Sequence, residues 1–393
     1  MRTHSRTGTL RQRWAAATLS LAIAAGGTVT AAVAIGQPAS AQTLGAGTLR
    51  TPGLWTSALG APAVAARTAR AKPPSAKAPV AKRVAVRGVG LAMYGRPASG
   101  LPWHSGFWTG GEMSTQRMAQ AAAWVGHPFD FVTTYPAYGT WAELSDSDWA
   151  AGIFDGFGGR LSYGLPLLPA NRRGHWSDVT SGAHDAVFRT IARQLVAHGR
   201  GDSVIRVGLE ANGDWFPWAV TASTAGQYKA AFRRVVTVMR AQAPNLTFWF
   251  DTSAGFGLPG QSGRLDALTA LYPGDSYVDG VSMDHYDFYQ LSATSTLRWN
   301  LALTPRSGAG LADAVAFARA HAKGFAVPEW GTHGTQGPGD NPFFIQKMHD
   351  FFVANRDVLV FECYFNEPAP YIHNALWGPV QMPRSSATYR RLF

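Results

Sequence analysis

Eight short apolar segments alternate with amphipathic ones between residue 84 and the end of this 393-residue chain, and nothing else in it limits the fold so strongly. The apolar segments lie at 86–93, 129–134, 160–165, 203–210, 246–252, 278–285, 324–329 and 357–364. Between them apolar residues recur at every third or fourth position, most clearly over 184–198, 225–241, 310–323 and 341–355, the pattern of helices that bury one face. Strands that are apolar throughout, rather than at alternate positions, belong to a parallel sheet covered on both faces. Eight such units in about 300 residues predict a single (β/α)8 barrel over 84–393 in preference to an open doubly wound sheet. No Gly-x-Gly-x-x-Gly follows the first segment, which speaks against a dinucleotide-binding fold.

The chain begins with a different kind of sequence. Arg2, Arg6, Arg11 and Arg13 precede an acid-free apolar run over 14–35, and Ala39-Ser40-Ala41 offers a small-residue cleavage site. That order predicts an export signal over 1–41, with an uncleaved membrane anchor as the alternative, since the run is long enough to span a bilayer. Residues 42–83, rich in Ala, Pro and Lys, lack the large apolar side chains needed to offset ordering entropy and read as a disordered linker. Residues 1–87 hold 12 of the 35 lysines and arginines and none of the 24 acids, so the remainder is close to neutral. The pI near 10 therefore belongs to the leader and linker, and a nucleic-acid partner is not indicated. Cys363 is the only cysteine, so no intrachain disulfide can form, and its apolar surroundings predict a buried, inert thiol.

Two of the apolar segments end on a glutamate. Glu210 follows Val207-Gly208-Leu209 and precedes a small turn and the aromatic run Trp215-Phe216-Pro217-Trp218, while Glu329 closes Phe325-Ala326-Val327-Pro328. In a (β/α)8 barrel both would open on the C-terminal face, where barrel enzymes keep their chemistry. Two carboxylates delivered by different strands beside aromatic faces are what glycosidic-bond cleavage requires: one acid to protonate a poor leaving group, a second carboxylate on the other side of the anomeric carbon. Glu210, beside Leu209 and Trp215, is in surroundings that disfavour its charge, which suits the acid. A separation of about 5 Å would imply retention of configuration, and about 6.5 to 9.5 Å inversion. No Gly-x-Ser-x-Gly or phosphate-binding loop is present. Asp284, His285 and Asp287 lack the spacing of a metal site and read better as hydrogen-bonding groups, so no cofactor is expected.

These motifs resemble glycoside hydrolase family 26, in the clan of retaining (β/α)8 glycosidases. The stretch from Arg206 to Trp218 is similar to that family's Arg-x-x-His-Glu-x-Asn-Gly-x-Trp-(Phe/Tyr)-Pro-Trp, joined by Tyr272-Pro273-Gly274, by Val278 to Tyr286 and by Pro328-Glu329-Trp330-Gly331. The resemblance implies Glu210 as general acid/base, Glu329 as nucleophile and Tyr286 as the hydroxyl that orients it. Arg206, Leu209, Asn212, Trp215, Trp218, His285 and Trp330 would line the sugar subsites. The substrate implied is a β-linked polysaccharide such as mannan or β-glucan, cleaved internally by a secreted or surface-attached monomer.

One position departs from the pattern. Where the family has histidine before the acid/base, this chain has Leu209, which makes no hydrogen bond to a sugar 2-hydroxyl, a contact that can supply several kcal/mol in the transition state. Either Arg206, Asn212 or His285 takes over that contact, or the substrate differs from mannan, or the protein binds polysaccharide without cleaving it. The composition break gives the first test: a chain begun near Val84 should be soluble, far less basic, and as active as the longer form. Loss of folding on removing 42–83 would show that the supposed linker packs on the barrel.

Overall fold

The computed structural model describes residues 89–393. The expected export segment and linker lie outside the described residues. Eight parallel strands close into a barrel in sequence order: β1 (His104–Trp108), β2 (Phe131–Thr134), β3 (Arg160–Leu165), β4 (Val204–Val207), β5 (Thr247–Ser253), β6 (Gly280–Tyr286), β7 (Gly324–Gly331) and β8 (Leu359–Phe365), with β1 paired to β8. Helices follow the strands, and those expected from periodicity occur at Asp185–Ala197, Ala225–Arg240, Leu311–Ala320 and Pro342–Ala354. Their ends carry ordinary devices: Ser114 accepts the Arg117 N–H at the start of the helix Thr115–Val125, and Pro342 begins the last of the four, where its missing N–H costs nothing.

The first expected strand is misplaced. Within 86–93, the residues from Val89 onward are helical, in a short helix Val89–Tyr94, and β1 is instead His104-Ser105-Gly106-Phe107-Trp108. That segment escapes a hydropathy reading because it contains a histidine, a serine and a glycine. The helix lies against the lower end of the barrel. Met93 and Tyr94 pack on an inner cluster of Phe131, Val204, Trp249, Ala326, Val360, Phe361 and Cys363, and the Tyr94 hydroxyl meets Thr247 Oγ1 at 2.6 Å. Cys363 is thus a core residue, as expected, and Trp249 is another; burial pushes the Cys363 thiol well above its usual range.

Period-two alternation decides which side chains enter the barrel. Along β6, Ser282, Asp284 and Tyr286 reach inward partners, while Met283 and His285 face the helices. Strand β7 breaks the alternation. Ser282 pairs with Ala326 but His285 pairs with Trp330, so β7 carries one residue more than β6 across this interval, around Pro328. A bulge there is where a proline without an N–H is tolerated, and it flips the pleat. Ala326 and Glu329, an odd number of positions apart, both point inward, and Trp330 points out.

Gly106 lies where β1 packs closely against both β8 and β2. A Cβ at that position would stand 2.2 Å from Cys363 Sγ and 2.9 Å from Phe131 Cβ. Gly106→Ala should destabilise the fold by about 1–3 kcal/mol, the usual cost of overpacking, as read from the urea midpoint at unchanged m-value.

Candidate active site

At the C-terminal end of β4 the chain turns sharply. Gly208 takes φ +56°, with Leu167 Cδ1 2.6 Å from where a Cβ would stand, and Glu210 itself takes φ +49°, a conformation that costs a non-glycine residue on the order of 1 kcal/mol. The turn is fixed by its neighbours. The Glu210 N–H donates to Asp251 Oδ1 (3.1 Å), Gly213 N–H donates to the Glu210 carbonyl (2.9 Å), and Trp218 Nε1 donates to the Leu209 carbonyl (2.8 Å). Glu210 therefore stands three residues beyond β4, and its carboxylate accepts from Trp215 Nε1 at 2.8 Å.

Arg206 lies at the centre with its side chain wholly buried. Its Nε donates to Asp251 Oδ2 (3.0 Å), Nη1 to Glu329 Oε1 (2.6 Å), and Nη2 to both Asp251 and Asp284. Burial opposes the guanidinium charge, yet the three carboxylates hold its pKa well above the ordinary value. One positive charge cannot balance three carboxylates and nearby Glu210. Burial, then the charges of Asp251, Glu329 and Glu210, outweigh Arg206 and push Asp284 well up. Burial first, then the charges of Glu329 and Asp251, raise Glu210 to about 8 against the pull of the Trp215 N–H. Glu329 has the opposite surroundings: besides Arg206, Tyr135 donates to Oε1 (2.5 Å) and Tyr286 to Oε2 (2.9 Å).

The structure thus brings Arg206, Glu210, Trp215, Tyr286 and Glu329 together and separates the others. His285 is fully buried with its ring stacked on Phe344, and burial drives its pKa down to about 3. It cannot meet a sugar, because its neighbours Asp284 and Tyr286 occupy the inward positions. Trp330 is likewise outside the barrel wall, packed on Phe352 and Phe393 with Nε1 bonded to Glu362 at 2.6 Å. Asn212 is spent on structure: it donates to the Ser253 and Phe256 carbonyls and accepts the Ser253 N–H, tying the turn to β5. Trp218 is 1% exposed and stacks on Phe216, which makes it a support for the turn. Leu209 is also buried, beside Gly164. Arg206 organises the carboxylates from beneath and presents no free edge to a ligand.

Sequence reasoning passed over Asp251 and Tyr135. Asp251 lies in the apolar run Phe248-Trp249-Phe250-Asp251, and a lone acid near the end of a buried strand was a signal of the same kind as Glu210 and Glu329. Tyr135 stands one residue beyond β2 with nothing around it in sequence to mark it. Trp108 and Glu367 add to the rim, joined by Trp108 Nε1 to Glu367 Oε2 at 3.1 Å. A groove of about 780 Å3, bounded by Arg96, His104, Phe129, Asp130, Phe157 and Arg160, lies at the other end of the barrel, at the N-terminal ends of β1 to β3 and away from these carboxylates.

Comparison with known proteins points in one direction. Residues 194–316 match Glycosyl hydrolase family 26, a stretch that contains Arg206, Glu210, Asp251, Asp284 and Tyr286 and stops short of Glu329. The chain is 35% identical over 116 residues to Endoglucanase H of Acetivibrio thermocellus, and 32% identical over 124 residues to a mannan endo-1,4-beta-mannosidase of Bifidobacterium adolescentis. Those stretches cover 28% and 31% of this chain and only 12% of each relative. The barrel is similar to that of a Cellulomonas fimi endo-beta-1,4-mannanase double mutant, with TM-score 0.56 and 17% identity over 78% of this chain and 74% of the other. It is also similar to the catalytic domain of a Bacillus sp. JAMB-750 GH26 endo-beta-1,4-mannanase, with TM-score 0.52 and 18% identity over 76% and 83%. The resemblance to family 26 thus holds in both local sequence and fold.

A carboxyl whose folded pKa is raised binds more protons native than unfolded, so its contribution to stability is present at low pH and falls as pH rises through the folded value. For Glu210 that window runs from its ordinary value, near 4.5, to about 8. The melting temperature of the native chain should therefore fall between about pH 5 and 8. Glu210→Gln, which keeps an acceptor for Trp215 and cannot ionise, should reduce that dependence and leave the share of Glu362, which burial also raises to about 8. An unchanged pH profile in the variant would place the titration elsewhere.

Proposed function

We propose that this chain is an exported glycoside hydrolase that cleaves a β-linked polysaccharide, mannan, β-glucan or a related polymer, by a retaining double displacement. The observation that carries the reading is the contrast between two glutamates at one site: Glu210 held neutral up to about pH 8, and Glu329 bonded by three donors. Glu210 protonates the glycosidic oxygen while Glu329 attacks the anomeric carbon. Water then enters with Glu210 as base and releases the sugar from Glu329. Arg206, Tyr135 and Tyr286 hold the attacking carboxylate in place by hydrogen bonds, and Trp215, partly exposed beside Glu210, offers a face on which a sugar ring can stack. Its relatives' names and the family match favour an internal cut in a polysaccharide. Export rests on residues 1–41 alone.

Leu209 favours a second reading, a polysaccharide-binding protein that retains the cleft without turnover. Reducing-end release from mannan, mixed-linkage glucan and xylan separates the two. The hydrolase reading expects release from at least one polymer, kcat/KM falling as pH rises through about 8, and losses of about 10²- to 10⁴-fold for Glu210→Gln, with a comparable or larger loss for Glu329→Gln, both variants remaining folded. Proton NMR of the first-formed product should show the β-anomer. Near-full activity in either variant would remove that glutamate from the mechanism.

A further inference from the structure

We infer that Tyr135 is a positioning residue for Glu329: with Arg206 it ties down one carboxylate oxygen and leaves the other, the one facing Tyr286, as the atom that attacks. This rests on the reading of Glu329 as nucleophile. The two oxygens are not equivalent. Oε1 accepts from both Tyr135 (2.5 Å) and Arg206 (2.6 Å), whereas Oε2 accepts from Tyr286 alone (2.9 Å). An oxygen with two short, charge-assisted donors has little lone-pair density left to offer carbon, and the oxygen with one longer contact keeps more.

The ring of Tyr135 reaches this position because of what its neighbours lack. Gly164 on β3 has no side chain, and a Cβ there would stand 2.6 and 2.8 Å from Tyr135 Cδ1 and Cε1 and 3.4 Å from Leu209 Cδ1. Trp108 closes another side, its ring edge-on to Tyr135 with centroids 5.2 Å apart. Tyr135 is thus flanked by an indole and a bare backbone, which hold the ring and leave the hydroxyl to make a directed contact. The groups facing Glu329 are Tyr135 from the end of β2, Arg206 from β4 and Tyr286 from β6, with the charges of Asp251, Asp284 and Glu210 nearby.

The test is Tyr135→Phe in the full chain, which keeps the ring and removes one hydroxyl, assayed on the polysaccharide the native chain cleaves and on an aryl β-glycoside of the same sugar. Expected are an unchanged melting temperature, a loss in kcat of roughly ten- to a hundredfold, within what a misplaced reacting group costs, with KM within about threefold of the native value. The acidic limb of the kcat/KM profile should move to higher pH, because a donor to the anion is gone. A crystal structure of the intermediate trapped with a 2-deoxy-2-fluoro glycoside should show the ester on the oxygen remote from Arg206. Native-like kcat, a slower enzyme with an unmoved pH profile, or an ester on the Arg206 side overturns the assignment and leaves the hydrolase reading standing. A native chain that cleaves no substrate overturns both.

Discussion

The guanidinium of Arg206 is what the interior of this barrel is arranged around. It bonds carboxylates from β5, β6 and β7, and those of β5 and β7 have further contacts. Asp251 also accepts the Glu210 N–H and the Ser282 hydroxyl, so the group that neutralises Arg206 sets the turn carrying Glu210. Burying such a cluster costs desolvation of every member, and removing one partner would leave the rest uncompensated, a loss of about 3–5 kcal/mol. The arrangement is poor as a source of stability and good as a source of position. Charges that cannot relax into water hold their partners in one geometry.

The same shortage of positive charge gives the site its chemistry. With four carboxylates near one guanidinium, protons are retained, and burial decides where. Glu210, furthest along the turn and bonded to a neutral indole N–H, keeps one up to about pH 8. Glu329 meets a guanidinium and two phenols. Two groups with the same side chain thus meet different partners within one pocket. The left-handed backbone at Glu210 belongs to this economy of position, as a strained residue held by Asp251, Trp215 and the braced turn behind it.

Much of this was legible in the sequence. Continuous apolar strands separated by helical periodicity determined a parallel barrel, because only burial on both faces lets strands dispense with alternation. Seven of the eight strands follow from it, and so do the two glutamates, since an acid at the end of an apolar run is costly unless the end is open or the acid has a use. β1 was not legible, as its histidine, serine and glycine are chosen for close packing and not for hydropathy. Asp251 and Tyr135 acquire meaning only from partners 45 and 194 positions away in sequence.

Tertiary structure alone decided which way the side chains face. His285 and Trp330 stand next to site residues in sequence and lie outside the barrel wall, because the pleat gives neighbours opposite faces. The bulge at Pro328 then overrides simple alternation, and Glu329 enters the site by a register shift that becomes definite only when β7 is laid between β6 and β8. The sequence by itself determined the elements and the kind of chemistry, since both depend on residue type and local spacing. The identity of the groups that meet was decided by strand register and barrel closure, which depend on contacts between segments that the chain order keeps apart.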